Sequence, residues 1–234
     1  MADDEPMLDK SALAAVQAAL RGRQDEETER LFLEHFQVQV SSFETATAEV
    51  YDRWRTFEST FARDQDSATV VGALFTVVAR MLLSMRFLIL EHITMAGGAQ
   101  RQALEALASA FLFAKYDWPY RQRAWLGRFP VHRSIDLLVK RSEELGLNRE
   151  ALEVATQAKR FYNKMSHPTI IAMGDLIGRG THHLGPIFDP KKLPFYEKEI
   201  ASRIGFAGIL TNAIDGVASH MREWPDFRDR PGAT

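Results

Sequence analysis

Cysteine is absent from the 234 residues, which excludes thiol catalysis, disulfides and thiolate metal sites. A reducing compartment is thereby permitted. Positive charge is not in excess either: 29 Lys and Arg stand against 31 Asp and Glu, a formal net charge of -2. A nucleic-acid or membrane surface would therefore have to be a local patch. The opening MADDEPMLDK has neither the basic stretch nor the apolar run of a secretory leader, so a cytoplasmic protein is expected. Strand-like alternation is scarce, no internal repeat or sustained heptad array occurs, and glycine and proline are missing from Asp25 to Ala62.

What is present reads as helix. With 46% hydrophobic and 26% charged residues the composition is that of a folded globular chain, long enough to bury its own core. The expected organisation is an acidic arm with a short Ala-rich helix over 1–24, a long N-terminal helix over 25–67, a helical-bundle core over 68–224 and a disordered tail over 225–234. Asp25, Glu26 and Glu27 favour a helix start, and Leu33, Phe36, Val40 and Phe43 continue an apolar stripe that a dimer would bury. Val70 to Leu90 is about as long as a bilayer span. Arg80 and Arg86 inside it would each cost about 2.5–3.5 kcal/mol on insertion, so we read a buried helix at the bundle centre and no membrane partner.

Gly97-Gly98 is expected to reverse the chain into an Ala-rich helix at 99–116, packed antiparallel on the preceding one. The connection DWPYRQRAWLGRFP carries Arg121, Arg123 and Arg128, a patch suited to an anion. A helix follows over 131–145, and Asn148 should cap another that runs to Ser166. Thr169 to Met173 and Leu184 to Phe188 have strand character, enough for a short hairpin or ordered loop. Pro194 suits the first turn of a final helix. Its small residues Ala201, Gly205, Gly208, Asn212 and Ser219 are expected to face the Ala-rich helix. The fold class is therefore all-α, a bundle of about five main helices.

Most catalytic patterns are missing. There is no nucleophile elbow of the G-x-S-x-G kind and no phosphate-binding glycine loop. His182 and His183, with Asp175 and Asp189 nearby, lack the helical spacing of a zinc site, so neither a metal nor a cofactor is expected. One stretch remains, KRFYNKMSHPT. Arg160 and His167 lie seven residues apart, a rotation of about 700° that returns them to one helical face, with Asn163 and Lys164 between. An arginine that holds phosphate beside a histidine that moves the proton of a 2′-hydroxyl suits RNA cleavage without a metal.

This arrangement, with Arg101 and Glu105 as an R-x-x-x-E pair and a later YN-x-x-SH, resembles the HEPN superfamily of helical toxins, defence nucleases and nucleotide-binding proteins. The resemblance covers roughly 68–223. It implies Arg160 and His167 as the catalytic pair, RNA as a partner, and a homodimer that brings two such pairs into one cleft. Phe161 departs from the polar residue that usually follows the arginine, which implies a member that binds without cutting. The alternative is structural, a non-enzymatic interaction or regulatory protein. In that reading Ala151, Val154, Ala158, Phe161 and Met165 form the apolar seam, while Arg160, Lys164 and His167 point to solvent about 140° away. Arg101 and Glu105 would then form a polar network with Tyr162, Asn163 or His167.

Overall fold

The computed structural model describes residues 25–115, 118–166, 177–178, 181–182 and 188–224. Seven helices account for nearly all of it: α1 (Asp25–Phe61), α2 (Gln65–Ile89), α3 (Ile93–Lys115), α4 (Trp118–Trp125), α5 (Ser134–Lys140), α6 (Arg149–Ser166) and α7 (Leu193–Arg222). Between α6 and α7, β1 (Ile177–Gly178) pairs antiparallel with β2 (Thr181–His182), with Ile177 opposite His182. This small pairing sits within the stretch where a hairpin was expected; Thr169 to Met173 and Leu184 to 187 lie outside the described residues, as do the arm and the tail.

α1 runs unbroken except for a kink at Phe36, where φ is -126° and ψ 15°. Its stripe of Phe32, Phe36, Val40, Phe43, Val50, Trp54, Phe57 and Phe61 is buried within the same chain, mainly against α7 and α2, and not across a dimer. Phe32, Phe36, Phe188 and Tyr196 pack as an aromatic cluster with ring centroids 5.0–6.5 Å apart. Asp64 caps α2 by accepting from the Ser67 amide at 2.8 Å, while Ser67 Oγ accepts from the Asp64 amide at 3.1 Å. That reciprocal box starts α2 at Gln65.

Two expectations about the centre are corrected. The Gly97-Gly98 reversal does not occur. The chain turns at Glu91, which adopts φ of 60°, and both glycines lie inside α3. Gly97 is instead the place where α6 comes closest, since a Cβ there would stand 2.9 Å from Met165 Cβ. Nor is α2 the central helix. α3 is, with α2, α5, α6 and α7 all packed on it and alanines 96, 99, 103, 106, 108, 110 and 114 buried. α2 keeps one side to solvent, including Arg80.

The final helix is corrected too. Ala201, Gly205, Gly208, Asn212 and Ser219 are exposed, and α7 packs chiefly on α1. The glycine that admits α3 is Gly216, where a Cβ would meet Phe111 at 3.2 Å. α7 is held inward by charge. Arg203 is fully buried and donates to Glu199 Oε2 at 2.8 Å and, through Nε, to Ser84 Oγ at 2.9 Å. Ser84 in turn donates to the Ala96 carbonyl at 3.0 Å, so one chain of hydrogen bonds ties α7, α2 and α3.

Two stability measurements follow from this packing. Arg203→Ala leaves the buried Glu199 carboxylate without its cation and is expected to cost about 3–5 kcal/mol in urea unfolding. The double variant Arg203→Met with Glu199→Met should recover most of that loss, because an apolar pair leaves no orphaned charge. Gly97→Ala should cost about 1–3 kcal/mol despite the better helix former, since Met165 Cβ is not the movable end of its side chain.

Candidate functional site

α6 begins where Asn148 Oδ1 accepts the amides of Glu150 and Ala151 at 2.7 and 3.3 Å, as its place in the sequence suggests. The buried side of the helix overlaps the expected seam only at Ala158 and Met165. Leu152, Tyr162 and Met165 turn inward, whereas Ala151 is exposed, Val154 is 66% exposed and Phe161 38%. The reason is that α6 packs on α3 and α5 through polar as well as apolar groups. Lys159, Tyr162 and Asn163 each find a partner on a neighbouring helix, and the helix is rolled to suit them.

Arg101 of α3 donates through Nη1 to Asn163 Oδ1 at 3.1 Å and lies 3.6 Å from Glu105 Oε1 through Nε. Three of the residues singled out in the sequence, Arg101, Glu105 and Asn163, therefore share one α3–α6 contact. Tyr162 belongs elsewhere. Its hydroxyl meets Ser202 Oγ of α7 at 3.3 Å near Glu199 and Arg203, and burial raises its pKa. Arg160 and Lys164 are exposed on the outer side of α6. Arg160 makes no hydrogen bond or ion pair among the described residues. His167 lies outside the described residues.

Sequence reasoning missed five members of this neighbourhood, Ser109, His132, Ser134, Asp136 and Lys159. Glu105 is buried, and the positive charges that bear on it are Arg101, Lys159 and His132, opposed by Asp136. Lys159 is itself held to Asp136 of α5 at 3.0 Å. Ser109 and Ser134 donate to the Glu105 carbonyl at 2.8 and 2.9 Å, which docks α5 on α3. No local pattern announces Asp136 and Lys159, which are 23 positions apart on different helices. The Glu199–Arg203 pair has a local signal, an acid and a base four apart on one helix face, although nothing in that spacing says it is buried.

The expected anion patch divides. Arg121 is buried, donates to the Phe113 carbonyl at 2.9 Å, lies 3.2 Å from Asp66 and stacks 4.3 Å over the Trp224 ring. It clamps α4 to α2, α3 and the end of α7. Arg123 and Arg128 stay exposed, as do His132 and Arg133. Residues 118–166 carry ten Lys or Arg against five Asp or Glu, while α1 carries three against nine. The two segments are thus charged oppositely, although the whole chain is close to neutral. Asp189, considered beside the histidines, caps the turn Pro190–Lys192 by accepting the Lys191 amide at 3.0 Å; Asp175 and His183 lie outside the described residues.

Burial raises the Glu105 pKa, and Arg101, Lys159 and His132 offset it only in part. The folded state therefore prefers the protonated acid. Its stabilising contribution is present at low pH and is lost as pH rises through the raised folded pKa. Glu105→Gln, which cannot ionise, should flatten that decline, and its stability relative to the parent should grow from pH 4.5 to pH 7 in urea titrations. A Gln variant less stable than the parent at pH 7 would show that the pair with Arg101 outweighs burial. Compared with protein-family models, with curated proteins and with solved structures, the chain matches none.

Proposed function

We propose that this chain is a HEPN-like, metal-independent ribonuclease of the cytoplasm, acting in a defence or toxin system, whose RNA surface is the outer side of α4, α5 and α6. The observation that carries the reading is Arg160. Lys159 and Asn163 beside it are engaged in the fold, yet this guanidinium stands exposed in the basic segment 118–166, where a phosphate would reach it. Arg123, Arg128 and Arg133 extend the same charge, and Glu105 and Asn163 hold Arg101 in place behind it.

In this reading Arg160 binds a phosphate oxygen and His167 takes the proton of the adjacent 2′-hydroxyl as that oxygen attacks phosphorus. The P–O5′ bond breaks, the products are a cyclic phosphate and a 5′-hydroxyl, and the leaving oxygen takes up a proton. No metal enters the balance. Two copies would bring two such pairs to one RNA. A second reading rests on Val154 and Phe161, whose exposure on the same helix suits a protein partner and a non-enzymatic, regulatory role.

The test is RNA cleavage and binding by the purified chain in EDTA. Cleavage is expected, abolished in His167→Ala. In Arg160→Ala binding should weaken and the slope of log affinity against log salt should fall by about 0.7, one phosphate contact on a single strand. RNA binding with no cleavage would leave a binding protein, and no binding at all would favour the protein-partner reading.

A further inference from the structure

We propose that the outward side of α2 is a self-association surface, occupied by α2 of a second copy running antiparallel. The proposal is independent of the RNA reading, because α2 and α6 both pack on α3 and not substantially on each other. α2 is 25 residues long and has a window of mean hydropathy 1.8, yet only 44% of that window is buried. Phe75 is 46% exposed, Leu82 50% and Leu83 38%. Ala68 and Gly72 are exposed beside them, with Ala79 half-buried in the same strip. The Thr76 hydroxyl does not interrupt it, since it donates to the Gly72 carbonyl of its own helix at 2.8 Å. At 1.5 Å per residue and a helix width of about 10 Å the strip from Ala68 to Leu83 covers roughly 240 Å², approaching the few hundred Å² above which apolar patches mark interaction sites.

The order of side chains along the strip selects the occupant. Small residues, Ala68 and Gly72, lie towards the start; large ones, Leu82 and Leu83, lie towards the end. A twofold axis between Phe75 and Thr76 sets Leu83 of one copy over Ala68 of the other, Leu82 over Thr69, and Gly72 against Ala79. Such a surface is complementary to itself, as an isologous interface requires. Gly72 has nothing within 4 Å of a built Cβ, so its side of α2 is open to close approach by another helix. Charge agrees with the register. Arg86, half exposed where it contacts Glu29, falls opposite the exposed N-cap Asp64 of the second copy, and each copy supplies both partners. At the rim, Tyr51 stacks on Trp54 and Trp54 on Phe75, which widens the apolar area. A lipid surface would meet only hydrocarbon on a comparable strip and has no use for alternating size or for paired charges at the ends.

Light scattering of the full chain over a range of concentrations should give twice the chain mass of 26.5 kDa. Leu82→Glu should raise the dissociation constant at least about tenfold with helicity unchanged, because Leu82 is not part of the core. Val38→Glu, at a 77% exposed position on α1, should leave the dimer intact. The absence of cysteine allows a direct reading of register: Gly72→Cys with Ala79→Cys should oxidise to a covalent dimer, and neither single variant should. A chain that stays monomeric, a dimer insensitive to Leu82→Glu, or cross-linking by either single variant overturns the proposal. Sedimentation with phosphatidylcholine vesicles that is lost in Leu82→Glu, without a dimer in solution, assigns the strip to membrane instead.

Discussion

The constraint on which the rest depends is that α3 is enclosed on nearly every side. A helix so placed has to be slim enough for neighbours to approach, which its buried alanines supply, and each polar group on it has to be satisfied in place. Glu105 and Arg101 meet that demand by drawing in Asn163, and the Glu105 carbonyl does so by accepting two serine hydroxyls. The candidate site is therefore a consequence of the packing. α6 cannot roll to bury Val154 and Phe161 without breaking the contacts of Lys159 and Asn163, and so its apolar stripe is left outside.

Much of the architecture was legible because it rests on local signals. The glycine-free run from Asp25, the Asn148 cap and the start of the last helix near Pro194 all appear where the residues suggested. The errors have a common origin, which is that composition does not say which neighbour a residue meets. Gly97-Gly98 has the look of a turn, yet Gly97 serves close approach, and the reversal falls to Glu91, an unlikely residue for φ of 60°. Beside Glu91 the Tyr196 hydroxyl is pushed well above its usual range by burial and by that carboxylate. The small residues of α7 look like a packing surface and face solvent instead.

The same limit governs the site. Arg101 and Glu105 were visible as a pair spaced for one helix, but their link to Asn163 crosses 62 positions, and the Lys159–Asp136 tie joins two helices with no shared motif. Periodicity assigned α6 an apolar seam that is correct as a pattern but buried only at Ala158 and Met165, with Ala151, Val154 and Phe161 left outside. Helical wheels locate stripes; which stripe is covered depends on the competing requirement that buried polar groups be partnered.

That competition also explains why two different surfaces are left open. On α6 the polar contacts to α3 and α5 determine the roll, so cations and a few apolar side chains are turned outward together. On α2 the buried side is held by Ser84, Trp54 and the Arg203 relay, and the opposite side carries an apolar strip with Thr76 turned back to its own helix and Arg80 and Arg86 at its margins. The cations on α6 suit a polyanion, whereas Val154 and Phe161 beside them suit a protein partner. A strip graded from small to large side chains suits another helix running antiparallel. The separation of the two by α3 lets each be altered without disturbing the other, since distant sites with no shared contacts behave additively.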